Sequence, residues 1–204
     1  MPGDVVDLPT TLGPARAYLR GGHAGRLVLS HGAGGGVGAR DLLAVSAAAH
    51  RAGWAVALVE QPWRVAGRRV ATPPPRLDEA WLQIVPALLD GPLGRGGPLV
   101  LGGRSAGARV ACRTARETGA AAVLCLAFPL HPPGKPERSR SAELAGAPTA
   151  LVVQGRRDPF GSPEEVRAVA PPDVAVVGVD GDHSLKSDVP AVTAAVLEWL
   201  PILS

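Results

Sequence analysis

The stretch Leu99-Val100-Leu101-Gly102-Gly103-Arg104-Ser105-Ala106-Gly107 decides how this chain folds. The apolar run Leu99 to Gly102 reads as a buried strand, it passes directly into a G-x-S-x-G, and an Ala-rich segment of helical composition follows. A serine at a sharp strand-to-helix turn stands exposed at the strand end, and glycines two places before and after it let the backbone approach closely. With nine Ser and 26 Gly in the chain, chance supplies roughly 0.15 such matches, so the motif alone says little. The strand before it and the helix after it give it weight.

Working outward, the same kind of strand recurs. Leu27 to Ser30, Ala55 to Glu60, Ala121 to Ala127, Thr149 to Gln154 and Val174 to Val179 are short and nearly continuously apolar, as in a parallel sheet covered on both faces. Two more strands, Asp4 to Leu8 and Ala15 to Arg20, fit a hairpin through Gly13-Pro14. Between the strands, Leu77, Trp81, Ile84, Val85, Leu88 and Leu89 form a helical stripe, with Asp78 and Glu79 in its first turn and Pro86 expected to kink it. Asp188 is placed to cap a last helix with Pro190 in its first turn. Leu42 to His50 and Ser162 to Val169 read as two further helices. The alternation predicts an α/β fold, a three-layer, doubly wound, mostly parallel sheet, as one domain over 1–204.

A serine hydroxyl needs an imidazole to take its proton and a carboxylate to orient that imidazole, and on this kind of sheet they follow in the order Ser, Asp or Glu, His. Asp158 lies just past the strand Thr149 to Gln154, and His183 just past Val174 to Val179, where open parallel sheets build their sites. Ser105, Asp158 and His183 are therefore the candidate catalytic residues. Asp182 is the lesser candidate acid, because it cannot easily orient its own neighbour in sequence. After the strand Leu27 to Leu29 comes Ser30-His31-Gly32-Ala33-Gly34-Gly35-Gly36, a turn suited to offering a backbone N–H to a developing oxyanion. The two donors would be Ala33 and Ala106. No G-x-G-x-x-G register fits Gly32 to Gly38 and neither Lys stands in a phosphate-loop context, so nucleotide binding is not indicated.

Composition removes other classes. The chain has 204 residues, 46% hydrophobic but only 3% aromatic, enough for one tightly packed aliphatic core. Its charge of +3 comes from nineteen Arg and two Lys, scattered except for Arg64 to Arg76, and that stretch lacks the aromatics of a single-strand nucleic-acid binder. Cys112 and Cys125 form no C-x-x-C and read as core residues. The five histidines include no metal-ligand spacing, so no metal and no cofactor is expected. No apolar stretch approaches the ~20 residues of a membrane span and Met1 to Thr10 has no signal-like character, so the expected location is cytoplasmic, without membrane or nucleic-acid partners.

With these residues assembled, the chain from Leu27 onward resembles the α/β-hydrolase superfamily, and within it the small, capless, dienelactone-hydrolase-like branch. The segments that carry the likeness are SHGAGG at Ser30 to Gly35, GGRSAG at Gly102 to Gly107, FPLHPPGKPE at Phe128 to Glu137, QGRRDPFG at Gln154 to Gly161 and GDHSL at Gly181 to Leu185. The resemblance implies a nucleophile at Ser105, an acid at Asp158, a base at His183 and an oxyanion loop at His31 to Gly34, which brings His31, Gly32 and Gly34 to the substrate. It also implies that His131 and Lys135 line the substrate pocket. Ser105 stands where dienelactone hydrolases proper carry Cys. The expected function is a serine hydrolase acting on a small ester, thioester or related acyl compound. The alternative is a non-catalytic scaffold or protein-binding module that keeps the fold, against which the intact Ser105, Asp158 and His183 speak.

Overall fold

The computed structural model describes residues 3–203. All eight strands join one sheet in the order β1-β2-β4-β3-β5-β6-β7-β8. β1 (Asp4–Leu8) and β2 (Ala15–Arg20) form the expected antiparallel hairpin, with Gly13 at φ 101° in its turn, and β2 pairs antiparallel with β4 (Ala55–Glu60). From β4 onward every pairing is parallel, through β3 (Arg26–Ser30), β5 (Leu99–Arg104), β6 (Ala122–Leu126), β7 (Ala150–Gly155) and β8 (Val174–Val179).

The strands are apolar on both sides because both sides are covered. Val28, Ala57 and Leu101 face one core with Trp63, Trp81, Val110, Phe128 and Leu144, under α2 (Pro62–Val65), α3 (Pro74–Asp90), α4 (Ala106–Thr114), α5 (Ser141–Leu144) and α6 (Pro163–Val169). Leu27, Leu29, Val56, Leu58 and Val100 face the other, with Leu42, Val45, Val192 and Val196 of α1 (Arg40–Arg51) and α7 (Val189–Trp199). The three-layer, mostly parallel architecture read from the sequence is the one observed. The connection from β6 to β7 holds only α5 and one turn of 3-10 helix, Pro136–Arg138, and no cap is inserted among the described residues.

Helix boundaries follow their caps. Asp188 Oδ1 accepts from the Ala191 N–H at 3.1 Å, with Pro190 in the first turn, as expected. At α6, Ser162 and Glu165 exchange hydrogen bonds in a capping box. Two expectations need correction. α3 begins at Pro74, so Asp78 and Glu79 lie beyond its first turn; the prolines there fit helix N-terminal positions, and the two carboxylates are used by Arg113 and Thr11 instead. Pro86 lies within that helix, on its exposed side, where water can serve the carbonyl it leaves unbonded. Finally, β8 is not buried on both faces. It is the edge strand, with Ala175 and Val177 exposed.

Strand order reverses at β3, whose chain goes first to β4 and then back to β5 on its other side. A crevice opens at such a switch point, outside the carboxyl ends of the strands. The loops leaving β3 and β5 carry His31 to Gly36 and Ser105.

Candidate active site

Ser105 joins β5 to α4 with φ 52° and ψ −107°, a backbone conformation that costs a non-glycine residue about 1–3 kcal/mol. Its surroundings enforce it. A Cβ on Gly103 would run into the Ser30 carbonyl oxygen, and one on Gly107 would press on the Ser30 and His31 carbonyls, so the two motif glycines let the turn dock on the end of β3. On the other side the Ser105 N–H donates to the Leu126 carbonyl at 2.9 Å, fastening the turn to β6.

His183 and Asp158 arrive from the loops after β8 and β7. The imidazole Nε2 lies 2.9 Å from Ser105 Oγ, and Nδ1 lies 2.8 Å from Asp158 Oδ2. With the carboxylate accepting from Nδ1–H, Nε2 is the acceptor for the serine hydroxyl. Close approach of the two loops depends on Gly155, where a Cβ would collide with the Gly181 and Asp182 carbonyls. Asp180 pairs with Arg157 at 2.6 Å and Asp182 Oδ1 accepts from the Ser184 N–H at 2.8 Å, so neither neighbouring carboxylate competes for the ring.

Several groups hold these three in place without being evident from the sequence. Gln154, fully buried on β7, donates from Nε2 to Asp158 Oδ2 at 2.9 Å and lies within 2.7 Å of the Gly161 and 3.1 Å of the Phe128 carbonyl oxygens. The Phe160 N–H donates to the other carboxylate oxygen, Oδ1, at 2.8 Å, and the Phe160 ring packs on the His183 ring at a centroid distance of 4.3 Å. Arg104 Nη2 donates to the His183 carbonyl at 2.8 Å while its Nε faces Asp41 Oδ2 at 3.2 Å. Burial pushes the Asp41 carboxyl up, and Arg104 pulls it back toward the charged form. A polar residue ending an apolar strand was the one signal for Gln154. Phe160 and Asp41 gave none.

The two expected oxyanion residues border one hollow. Ala106 is the first residue of α4, where an N–H has no partner within the helix, and Ala33 lines the same small hollow as Ala106. Gly32 brings the loop against the nucleophile: a Cβ there would stand 3.3 Å from Ser105 Cβ. Gly34 is exposed with open space around it. His31 is buried, and its two nitrogens are spent on backbone: Nε2 accepts from the Gln61 N–H at 3.2 Å, which leaves Nδ1–H to donate to the Gly32 carbonyl at 2.9 Å. That arrangement requires a neutral ring, and burial holds its pKa below the ordinary value. His31 thus buttresses the loop from beneath.

The last two expected residues lie on the loop after β6. His131 is buried between the Pro132 carbonyl, 3.0 Å from Nδ1, and Glu165, 3.4 Å from Nε2, and Lys135 stands exposed on the loop. Proline at Pro129, Pro132, Pro133 and Pro136 makes that loop stiff.

Comparison with known proteins bears on the fold. No curated protein matches the sequence. Among solved structures, Est1E from Butyrivibrio proteoclasticus superposes with a TM-score of 0.80 at 16% identity, covering 98% of each chain. XC6422 from Xanthomonas campestris, described as an a/b serine hydrolase without lid, gives 0.73 at 18% identity over 97% of this chain and 95% of its own. Dienelactone hydrolase from Anabaena variabilis gives 0.76 at 17% identity over 98% and 97%. A family profile described as an alpha/beta hydrolase domain matches residues 23–193. The chain belongs to the alpha/beta hydrolase family, with the capless form of the fold.

Proposed function

We propose that this protein is a serine hydrolase that cleaves a small ester or thioester through an acyl-enzyme. The observation that carries the reading is the unbroken chain Ser105 Oγ, His183 Nε2, His183 Nδ1, Asp158 Oδ2, with links of 2.9 and 2.8 Å, built at a serine held in a left-handed turn. His183 takes the Ser105 proton as Oγ adds to the acyl carbonyl, and Asp158 stabilises the imidazolium that forms. The Ala33 and Ala106 N–H groups receive the oxyanion. The imidazolium then gives its proton to the leaving oxygen or sulfur, the acyl group remains on Oγ, and water activated by the same imidazole releases the acid. With no cap over the site, small or protruding acyl groups are the favoured substrates.

Turnover of p-nitrophenyl acetate and butyrate tests the reading. Hydrolysis that disappears in Ser105→Ala supports it. Equal rates in the wild type and a folded Ser105→Ala protein would leave the fold as a scaffold.

A further inference from the structure

Beside the oxyanion residues lies a feature that the reaction centre does not use. Gln61 and Trp63 line both the small hollow that holds Ala33 and Ala106 and a neighbouring cleft of about 200 Å³. Thr11, Arg68, Thr72 and Arg76 also line the cleft. Gln61 is only 3% exposed, yet neither its amide nitrogen nor its amide oxygen has a partner among the described residues. A buried carboxamide left unpaired is costly unless something in the site supplies the missing hydrogen bonds.

Positive charge prevails at the cleft: no carboxylate lines it, although Glu79 accepts from the Thr11 hydroxyl at 2.8 Å at its border. Arg64, Arg68, Arg69 and Arg76 fall within thirteen residues that contain no Asp or Glu. Arg76 reaches Glu79 only at 3.6 Å, across an exposed pair, and Arg64 borders Gly36 of the oxyanion loop. The donors lining this cleft are the two guanidinium groups, the Thr72 hydroxyl and the Gln61 amide, the Thr11 hydroxyl being given to Glu79. Such a set complements a carboxylate or phosphate.

We infer that this cleft binds a negatively charged group on the substrate, so that the preferred ester or thioester is anionic, with Arg68 and Arg76 as the residues that select it. The inference rests on the reading of Ser105 as nucleophile. An anion could enter on the acyl side or on the leaving group, and two matched pairs separate these: monomethyl glutarate against methyl pentanoate, and butyryl-coenzyme A against S-butyryl-N-acetylcysteamine.

In one of the pairs, kcat/KM for the charged member should exceed that of its neutral partner by about tenfold or more, mainly through KM. That ratio should fall toward one in molar salt and in Arg68→Gln/Arg76→Gln, and persist in Arg95→Gln, which removes a charge elsewhere. Calorimetry of glutarate and of butyryl-coenzyme A with the Ser105→Ala protein reads binding without turnover, and should show an anion site that the double variant loses. Equal rates within both pairs, a preference that survives the double variant, or absence of binding for both anions would overturn the inference. Anion binding with no ester hydrolysis at all would instead overturn the catalytic reading and leave the cleft standing.

Discussion

Gln154 Nε2 and His183 Nδ1 meet the same oxygen of Asp158, at 2.9 and 2.8 Å. The amide fixes the carboxylate from inside the sheet while the imidazole uses it from the site. Replacing Gln154 by Leu keeps the volume and removes the donor. A hydrogen bond to a charged group is worth about 1.5–3 kcal/mol, so kcat should fall by about tenfold or more with KM little changed. Gln154→Glu, which sets a second carboxylate against Asp158, should be worse. Steady-state kinetics on p-nitrophenyl butyrate decide it, and a drop in KM effects alone would speak against a positioning role.

The two carboxylates near His183 should behave differently. Asp158→Asn removes the acceptor for Nδ1–H, and losses of about 10⁴-fold in kcat are expected when a triad acid is lost with geometry intact. Asp182 serves the Ser184 N–H and hydroxyl, so Asp182→Asn should stay within a few-fold of wild type. Similar losses in both variants would mean that the acid is misassigned.

Glycines in the two active-site loops have separable roles. Gly107→Ala forces a Cβ onto the Ser30 and His31 carbonyls, and should cost about 3 kcal/mol or more, or give no soluble protein. Gly34→Ala meets nothing within 4 Å and should leave thermal stability within about 0.5 kcal/mol. Denaturant or thermal melts of the two variants check this.

Burial of neutral His31 gives stability a pH dependence. Its folded pKa is held below the ordinary 6.5, so below that pH the unfolded chain binds a proton that the folded chain resists. Stability is therefore full above 6.5 and is lost as pH falls toward the lowered folded value. Melts between about pH 7 and 5 should show a steeper decline for wild type than for His31→Gln, which cannot take up that proton. Parallel slopes would remove His31 as the cause.

Where the sequence was legible, one rule of spacing or chemistry settled the matter locally. Apolar runs such as Leu27 to Ser30 read as two-faced strands because their neighbours cover both sides. Ser105, Asp158 and His183 could be ordered because each follows a strand. Val174 to Val179 carries the same apolar pattern as the inner strands, and nothing local says that it lies at the edge. Contacts between distant segments were likewise hidden: Arg104 with the His183 carbonyl, 79 residues apart, or His31 with the Gln61 N–H, 30 apart. The partners of His131, the Pro132 carbonyl and Glu165, were not legible either, because they are set by the loop's path, which spacing does not encode.

The central claim is that His183 and Asp158 activate Ser105. Labelling by a fluorophosphonate probe reads this without knowledge of the substrate. Incubation of wild type, Ser105→Ala and His183→Ala with the probe, followed by mapping of the modified peptide, should show one adduct on Ser105 in wild type, none in Ser105→Ala and strongly slowed labelling in His183→Ala. A wild-type protein that stays folded and unlabelled, or one modified at another residue, would contradict the account.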